Sequence, residues 1–139
     1  MRILLAFVLL LTSFLCAQES SAKFTTIQLM NGRAWQQFDD EAKIMYLSGV
    51  RDSLIYFSVT AQHQVDANEL MQAKWAPGFI VGDYINELDA VYRSRENILI
   101  PIVNAMDYCT VKLKGQTSRA ELEQMLMTLR KIAATASVK

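Results

Sequence analysis

The stretch "RENILIPIVNAMDYC", Arg95 to Cys109, decides the fold class, because it could belong to a membrane segment, a strand, a redox site or a helix. Proline is favoured in the first turn of a helix and is damaging further along, so Pro101 places a helix start close to Ile100. The apolar residues that follow recur every three or four positions, as on one helix face: Ile102, Ala105, Met106, Cys109 and Leu113. The stretch therefore predicts a helix that begins at the proline and ends at Gly115.

Three more stripes of apolar residues predict three further principal helices, which makes the fold class all-α, a small bundle of four helices. The first starts at "FDDEAK", where Asp39 is a favourable N-cap. The last starts at a capping box formed by Ser118 and Glu121. The predicted inward residues are Ile44, Leu47, Val50, Leu54 and Phe57 in the first helix, Ile85, Leu88, Val91 and Tyr92 in the second, and Leu122, Met125, Leu126, Leu129 and Ile132 in the last.

The remaining segments are shorter. Residues 18–30 fit an extended segment or a loose turn with Phe24, Ile27 and Leu29 as core contacts, and Asn31-Gly32 reads as a turn. A short helix in the region of residues 65–71 ends at "APG", residues 76–78. Gly49, inside the first long helix, marks either a place where another backbone comes close or a tolerated glycine without a role.

The N-terminus has the layout of a secretory signal peptide: Arg2, then an apolar run, then a polar turn at "CAQES". We predict cleavage after Ala17, so that residues 1–17 are the signal peptide and residues 18–139 form a single helical domain. A lipoprotein would keep Cys16, but Leu15 precedes it where such sites need Gly, Ala or Ser. Soluble export to the periplasm or the medium is therefore favoured, with no membrane attachment after cleavage.

Charge and cysteine content narrow the function classes. The chain has 14 basic and 14 acidic side chains, and removal of Arg2 leaves one more acidic than basic. This balance argues against a non-specific nucleic-acid binder. After cleavage Cys109 is the only cysteine, so it is either a small buried hydrophobic residue or the site of an intermolecular disulfide or reactive thiol.

The sequence contains few of the side chains and motifs that catalysis or metal binding requires. We therefore predict a protein that is not an enzyme and carries no metal or cofactor. His63 is the only histidine, and it forms a polar cluster with Asp66 and Glu69. A zinc site needs three or four ligands, and no second histidine or nearby cysteine exists to complete one, so a solvated loop histidine is favoured over a metal ligand. No nucleophile elbow or phosphate loop is present in the sequence. The alternative is a periplasmic ligand carrier or hydrolase that uses a cluster of Tyr46, Asp52 and His63.

Aromatic residues offer a better lead, since Trp and Tyr are favoured in protein interfaces. "KWAPGF" places Trp75 and Phe79 on a predicted loop, where they form either a recognition surface or the edge of the core.

"NGRAW" followed by "YLSGVRDSL", and later "GDYINELDAVYRSRENILIPIVNAMDYC", resemble the Rap1a/Tai type of small exported bacterial immunity proteins, or a related secreted helical family. The resemblance covers residues 31–109 and aligns Tyr46, Gly49, Asp52 and Cys109 with family positions. It implies a periplasmic helical protein, often dimeric, that binds and blocks a toxic cell-wall amidase. The family's additional cysteines are missing from this chain.

Together these features predict an exported, non-enzymatic protein that acts by binding another periplasmic protein, or itself as a homodimer. An inhibitor of a secreted amidase is the most specific form of this hypothesis. The predicted binding residues are Trp75, Phe79, Tyr46 and Asp52.

Overall fold

The computed structural model describes residues 23–60 and 67–136, except for the side chains of residues 67, 68 and 70. Within these ranges the protein is all-α with one small antiparallel strand pair, which confirms the predicted fold class. The elements are β1 (Thr25–Thr26), β2 (Leu29–Met30), α1 (Gly32–Trp35), α2 (Asp40–Thr60), α3 (Ala67–Lys74), α4 (Val81–Tyr92), a 3-10 turn (Arg95–Asn97), α5 (Ile102–Lys114) and α6 (Arg119–Ala136). No helix in the described ranges is long and apolar enough to cross a membrane. The predicted signal peptide, Cys16 and His63 lie outside them.

The helix ends follow the predicted caps. Asp39 begins α2, and its Oδ1 accepts a 2.8 Å hydrogen bond from the backbone N–H of Ala42. The capping box of α6 is reciprocal: the N–H of Glu121 donates to Ser118 Oγ at 3.3 Å, and the N–H of Ser118 donates to the Glu121 carboxylate at 2.9 Å. Local sequence thus sets where these two helices begin.

Helix α5 lies at the centre of the fold. Pro101 precedes it and Gly115 ends it in the left-handed conformation, φ 67°, as predicted. Its predicted inward residues Ile102, Ala105, Met106 and Cys109 are buried. The helix contacts α3, α4, α6 and β2, which explains why one apolar face is enough to organise the whole domain.

The N-terminal hairpin departs from the prediction. Ile27 and Leu29 were expected in the core, but they are 54% and 41% exposed because the two strands lie at the edge of the domain. The two-residue loop between the strands consists of Ile27 and Gln28, both at positive φ, 54° and 61°. This is the geometry of a type I′ turn, which normally selects Asn and Gly.

Asn31-Gly32, predicted as a turn, lies where the hairpin ends and α1 begins, with Asn31 as the N-cap. The Asn31 side chain is buried; its Oδ1 accepts from the Arg33 N–H at 3.0 Å and its Nδ2 donates to Thr26 Oγ1 at 3.2 Å. Asn31 also forms an antiparallel bridge with Pro101. A Cβ added at Gly32 would overlap with the ring of Tyr92, so the glycine permits α1 to contact α4.

Helix α6 packs in a slightly different rotation from the predicted one. Leu126 is buried, but Ile132 is 46% exposed and Ala133 takes its place in the core. Arg130 Nε donates to Asn97 Oδ1 at 2.8 Å, and Asn97 Nδ2 donates to the Val91 carbonyl at 2.7 Å. These bonds join α6 to the end of α4 through the 3-10 turn, and a small residue at position 133 suits the close approach.

Candidate functional site

Helix α2 buries little of its surface. Among its 21 residues only Leu47 and Ser58 are buried, because the helix contacts α3 and α4 along one narrow side. Ile44 and Phe57, predicted to point inward, are 50% and 51% exposed. Apolar side chains are therefore exposed on several sides of this helix: Ile44, Met45, Ile55, Tyr56, Phe57 and Val59.

Opposite the buried side, α2 carries a regular row of residues that we call the outward face: Met45, Gly49, Asp52, Tyr56 and Val59. Their spacings of four, three, four and three residues match the heptad seam along which two helices pack. At 1.5 Å rise per residue the row is about 20 Å long. Met45, Tyr56 and Val59 are 68%, 72% and 57% exposed, so the large members of the row are free of the domain's own core.

Gly49 leaves a gap in this row, because it has no side chain. The prediction that another backbone lies close to it is wrong for the described residues, because an added Cβ would meet no heavy atom within 4 Å. Internal packing therefore does not require a glycine here. A gap between Met45 and Asp52 leaves room for a large side chain from an approaching helix.

Asp52 is the charged member of the outward face. Its carboxylate is exposed and forms no hydrogen bond or ion pair with any described residue. The adjacent Arg51 is directed elsewhere, since its guanidinium lies 5.8 Å from the ring centroid of Trp75. Asp52 is thus available to a donor from outside the domain.

Tyr46 does not share a face with Asp52. Asp52 is six positions after Tyr46, which places the two side chains about 120° apart around the helix. The Tyr46 ring lies 5.8 Å from that of Phe38, and burial raises the pKa of its hydroxyl. The structure therefore does not bring Tyr46 and Asp52 together as the ligand-carrier alternative requires, and His63, its third member, lies outside the described residues.

Trp75 belongs to the core, which is one of the two alternatives left open by the sequence. It is 6% exposed, its ring stacks on Tyr84 at 4.1 Å, and its Nε1 donates to the Phe79 carbonyl at 3.0 Å. Phe79 is half-buried against the same cluster. The "KWAPGF" loop therefore presents its backbone and the edge of Phe79, not an exposed indole.

Cys109 is fully buried on α5. Burial, and next the negative charge of Glu87, raises the pKa of its thiol to about 12. A thiol that stays protonated and enclosed is a poor nucleophile and is out of reach of a partner's cysteine in this conformation. Among the described residues no three His, Cys, Asp or Glu side chains are grouped as a metal site would require.

Sequence reasoning identified Asp52 and overlooked Met45, Tyr56 and Val59. The signal was present, because these residues form a second row on the same helix, at heptad spacing. The sequence prediction assigned this helix one apolar stripe, facing inward, and did not consider a second one. The structure shows which side of the helix the domain covers.

No family model, curated protein or solved structure matches this chain. The resemblance of residues 31–109 to the Rap1a/Tai family therefore stays a prediction, and function has to be inferred from the residues themselves.

Proposed function

We propose that this chain is an exported, non-enzymatic helical protein that acts by binding another protein, one helix of which docks along the outward face of α2. The observation that carries the proposal is the exposed heptad row from Met45 to Val59, with its gap at Gly49. A helix that is apolar on more than one side is usually buried on more than one side. In α2 the second apolar side has no cover among the described residues.

The free energy gained by burying apolar side chains, compared with the cost of association, sets how large the interface must be. Full burial of a large apolar side chain contributes about 1.5–3 kcal/mol, so Met45, Tyr56 and Val59 together supply roughly 5–9 kcal/mol. Association costs about 4–15 kcal/mol in lost freedom of motion. The outward face alone would give weak binding, so a stable complex must also cover the flanking residues Ile44 and Ile55. Asp52 would select a partner helix with a Lys or Arg opposite it.

The test uses a photo-reactive phenylalanine analogue at position 56, in a bacterium that exports the protein. We expect a covalent adduct with a second protein, and we expect Met45→Glu to abolish it while Met127→Glu does not. Met127, on α6, is also exposed, at 46%, and is outside the face. Absence of any adduct, or an adduct of twice the chain's own mass as the sole product, would overturn binding to another protein; the second result would indicate a homodimer.

Export is the other part of the proposal and has its own measurement. If residues 1–17 are a signal peptide, the protein recovered from the periplasm should begin at Gln18. A recovered mass that retains Met1, or a lipid on Cys16, would contradict soluble export. An amidase inhibitor, the form implied by the Rap1a/Tai resemblance, further predicts that the adduct protein hydrolyses cell-wall peptides and loses that activity when the complex forms.

A further inference from the structure

A second surface feature shares no residue with the outward face of α2. A cavity of about 570 Å³ opens between the N-terminal hairpin, α1 and the turn that follows α4. Four basic side chains line it, Lys23, Arg33, Arg93 and Arg95, together with the apolar side chains of Phe24 and Ile98. Gln36 and Gln37 supply two amides. No Asp or Glu is among the described residues that line it.

The positive charge of the cavity is not neutralised within residues 23–60 and 67–136. The ion pairs of these ranges use other cations, Lys43, Lys74, Lys112 and Arg130. Glu96, adjacent to Arg95 in the chain, is 3.4 Å from Arg130 Nη1 instead. Among the described residues, the Arg33 guanidinium has one hydrogen bond, to the Lys23 carbonyl at 3.4 Å. Since the chain has equal numbers of basic and acidic side chains, the cluster does not follow from composition.

The cations are held together by a fixed framework. The buried Asn31 ties Arg33 to the hairpin through the bonds described above, and the Asn31 N–H donates to the Phe24 carbonyl at 2.9 Å. Gln36 Nε2 donates to the Tyr92 carbonyl at 3.0 Å, which joins α1 to the wall that carries Arg93. Like charges held in proximity repel one another, and a bound anion relieves that repulsion.

We propose that this cavity binds a small organic molecule with at least two negative charges, such as a phosphate monoester, whose anionic group contacts Arg33, Arg93 and Arg95 and whose body lies on Phe24 and Ile98. A guanidinium group can donate two parallel hydrogen bonds to two oxygens of one phosphate or carboxylate. The cavity volume is within the range of about 300–1,000 Å³ that is typical of small-molecule sites. A lining that combines cations with apolar side chains suits an amphiphilic anion better than an extended nucleic-acid backbone.

The test is a titration of the full chain with pyrophosphate, glycerol 3-phosphate and citrate, followed by NMR of the backbone amides in low and in high salt. We expect saturable binding at millimolar or lower concentration, shifts centred on the amides of Arg33 and Arg95, and weaker binding in high salt. Arg33→Gln/Arg95→Gln should lower the affinity at least tenfold. The matched control is Lys114→Gln/Arg119→Gln, which removes the same charge from exposed residues outside the cavity and should bind as the unmodified chain does.

Three results would overturn the proposal. The first is no binding of any of the three anions, and the second is an equal loss in the control variant, which would mean general charge attraction. The third is binding to vesicles that contain phosphatidic acid without binding to the free anions, which would assign the cations to a membrane surface. Far-ultraviolet circular dichroism of both double variants verifies that each one is folded, and the Arg33 side chain's one weak hydrogen bond gives no reason to expect otherwise.

Discussion

Trp35 Nε1 donates a 2.7 Å hydrogen bond to Oδ1 of Asp89, and this bond joins α1 to α4. Lys43 approaches the same oxygen at 2.8 Å, and its ammonium lies 5.3 Å from the Trp35 ring centroid. The Lys43 side chain is only 13% exposed, so it depends on Asp89 as its partner. The Asp89 carboxylate, on α4, thus holds both α1 and the long helix α2.

Asp89→Ala should lower the free energy of unfolding by about 2 kcal/mol, because it leaves a buried indole N–H and a largely buried ammonium without their acceptor. Asp89→Asn should cost roughly half as much, since it keeps an acceptor and loses the charge. Urea unfolding at neutral pH measures both. The control is Asp52→Ala, which removes a carboxylate that has no ion pair within residues 23–60 and 67–136. Equal transition midpoints for Asp89→Ala and Asp52→Ala would contradict the role of Asp89.

Two glycines should respond oppositely to alanine. Gly32→Ala forces a methyl group into the Tyr92 ring and should destabilise the protein by about 1–3 kcal/mol. Gly49→Ala should instead stabilise α2 by up to about 1 kcal/mol, because its Cβ meets open space and alanine favours helix. Thermal unfolding of the two variants checks the pair. A loss of stability in Gly49→Ala would contradict the open space around this residue.

The hairpin loop is a place where sequence and backbone disagree. A β-branched residue at positive φ is strained, so Ile27→Asn combined with Gln28→Gly should raise the free energy of unfolding by about 1–2 kcal/mol. Ile27→Val/Gln28→Ala keeps residues that resist positive φ and should give no gain. If both pairs changed stability alike, the effect would come from side-chain contacts and not from the backbone.

The buried thiol predicts a specific pH dependence. The pKa of Cys109 in the folded protein, about 12, is above the 9.0 of an exposed thiol, so between these values the unfolded chain loses a proton that the folded chain keeps. Stability from this group is complete below pH 9 and falls as the pH rises, by about 1.4 kcal/mol per pH unit. The exposed tyrosines of an unfolded chain act in the same direction, so the comparison has to be between variants.

In a Cys16→Ser background, we expect the stability loss between about pH 9 and 10 to be larger with Cys109 than with Cys109→Ala, by about 1 kcal/mol. Urea unfolding at each pH gives the difference. Cys109 should also react with a thiol reagent at neutral pH only as fast as the protein opens. Parallel pH curves, or fast labelling of the folded protein, would mean that the thiol is accessible.

Much of the helical framework could be predicted because its signals are local. The residues that start or end helices act within one helical turn, so their effect does not depend on the rest of the chain. They are Asp39, Pro101, Gly115 and the Ser118–Glu121 pair.

Packing between elements could not be predicted in the same way. Tyr84 is fully buried; its hydroxyl accepts from the Ala76 N–H at 2.7 Å and bonds to Thr110 Oγ1 at 2.9 Å. No sequence pattern near Tyr84 predicts that Ala76 and Thr110 are its partners. Ile132 and Ala133 differ by one position, and only the closeness of α6 to the 3-10 turn decides which of them is covered.

The two candidate sites differ in the same respect. The outward face of α2 belongs to one helix, and its heptad spacing can be read from the sequence once a second row is looked for. The basic cavity brings Lys23 and Arg33, from the N-terminal segment, together with Arg93, which is distant in the chain, so no local pattern contains it.

The bridge between Asn31 and Pro101 has a consequence for the order of folding. Residue 31 is made long before residue 101, so the contact between the end of the hairpin and the start of α5 cannot form until most of the chain has been made. Contacts between such distant residues form late, after shorter loops have closed. The first part of the chain to be made would therefore be among the last to form its native contacts.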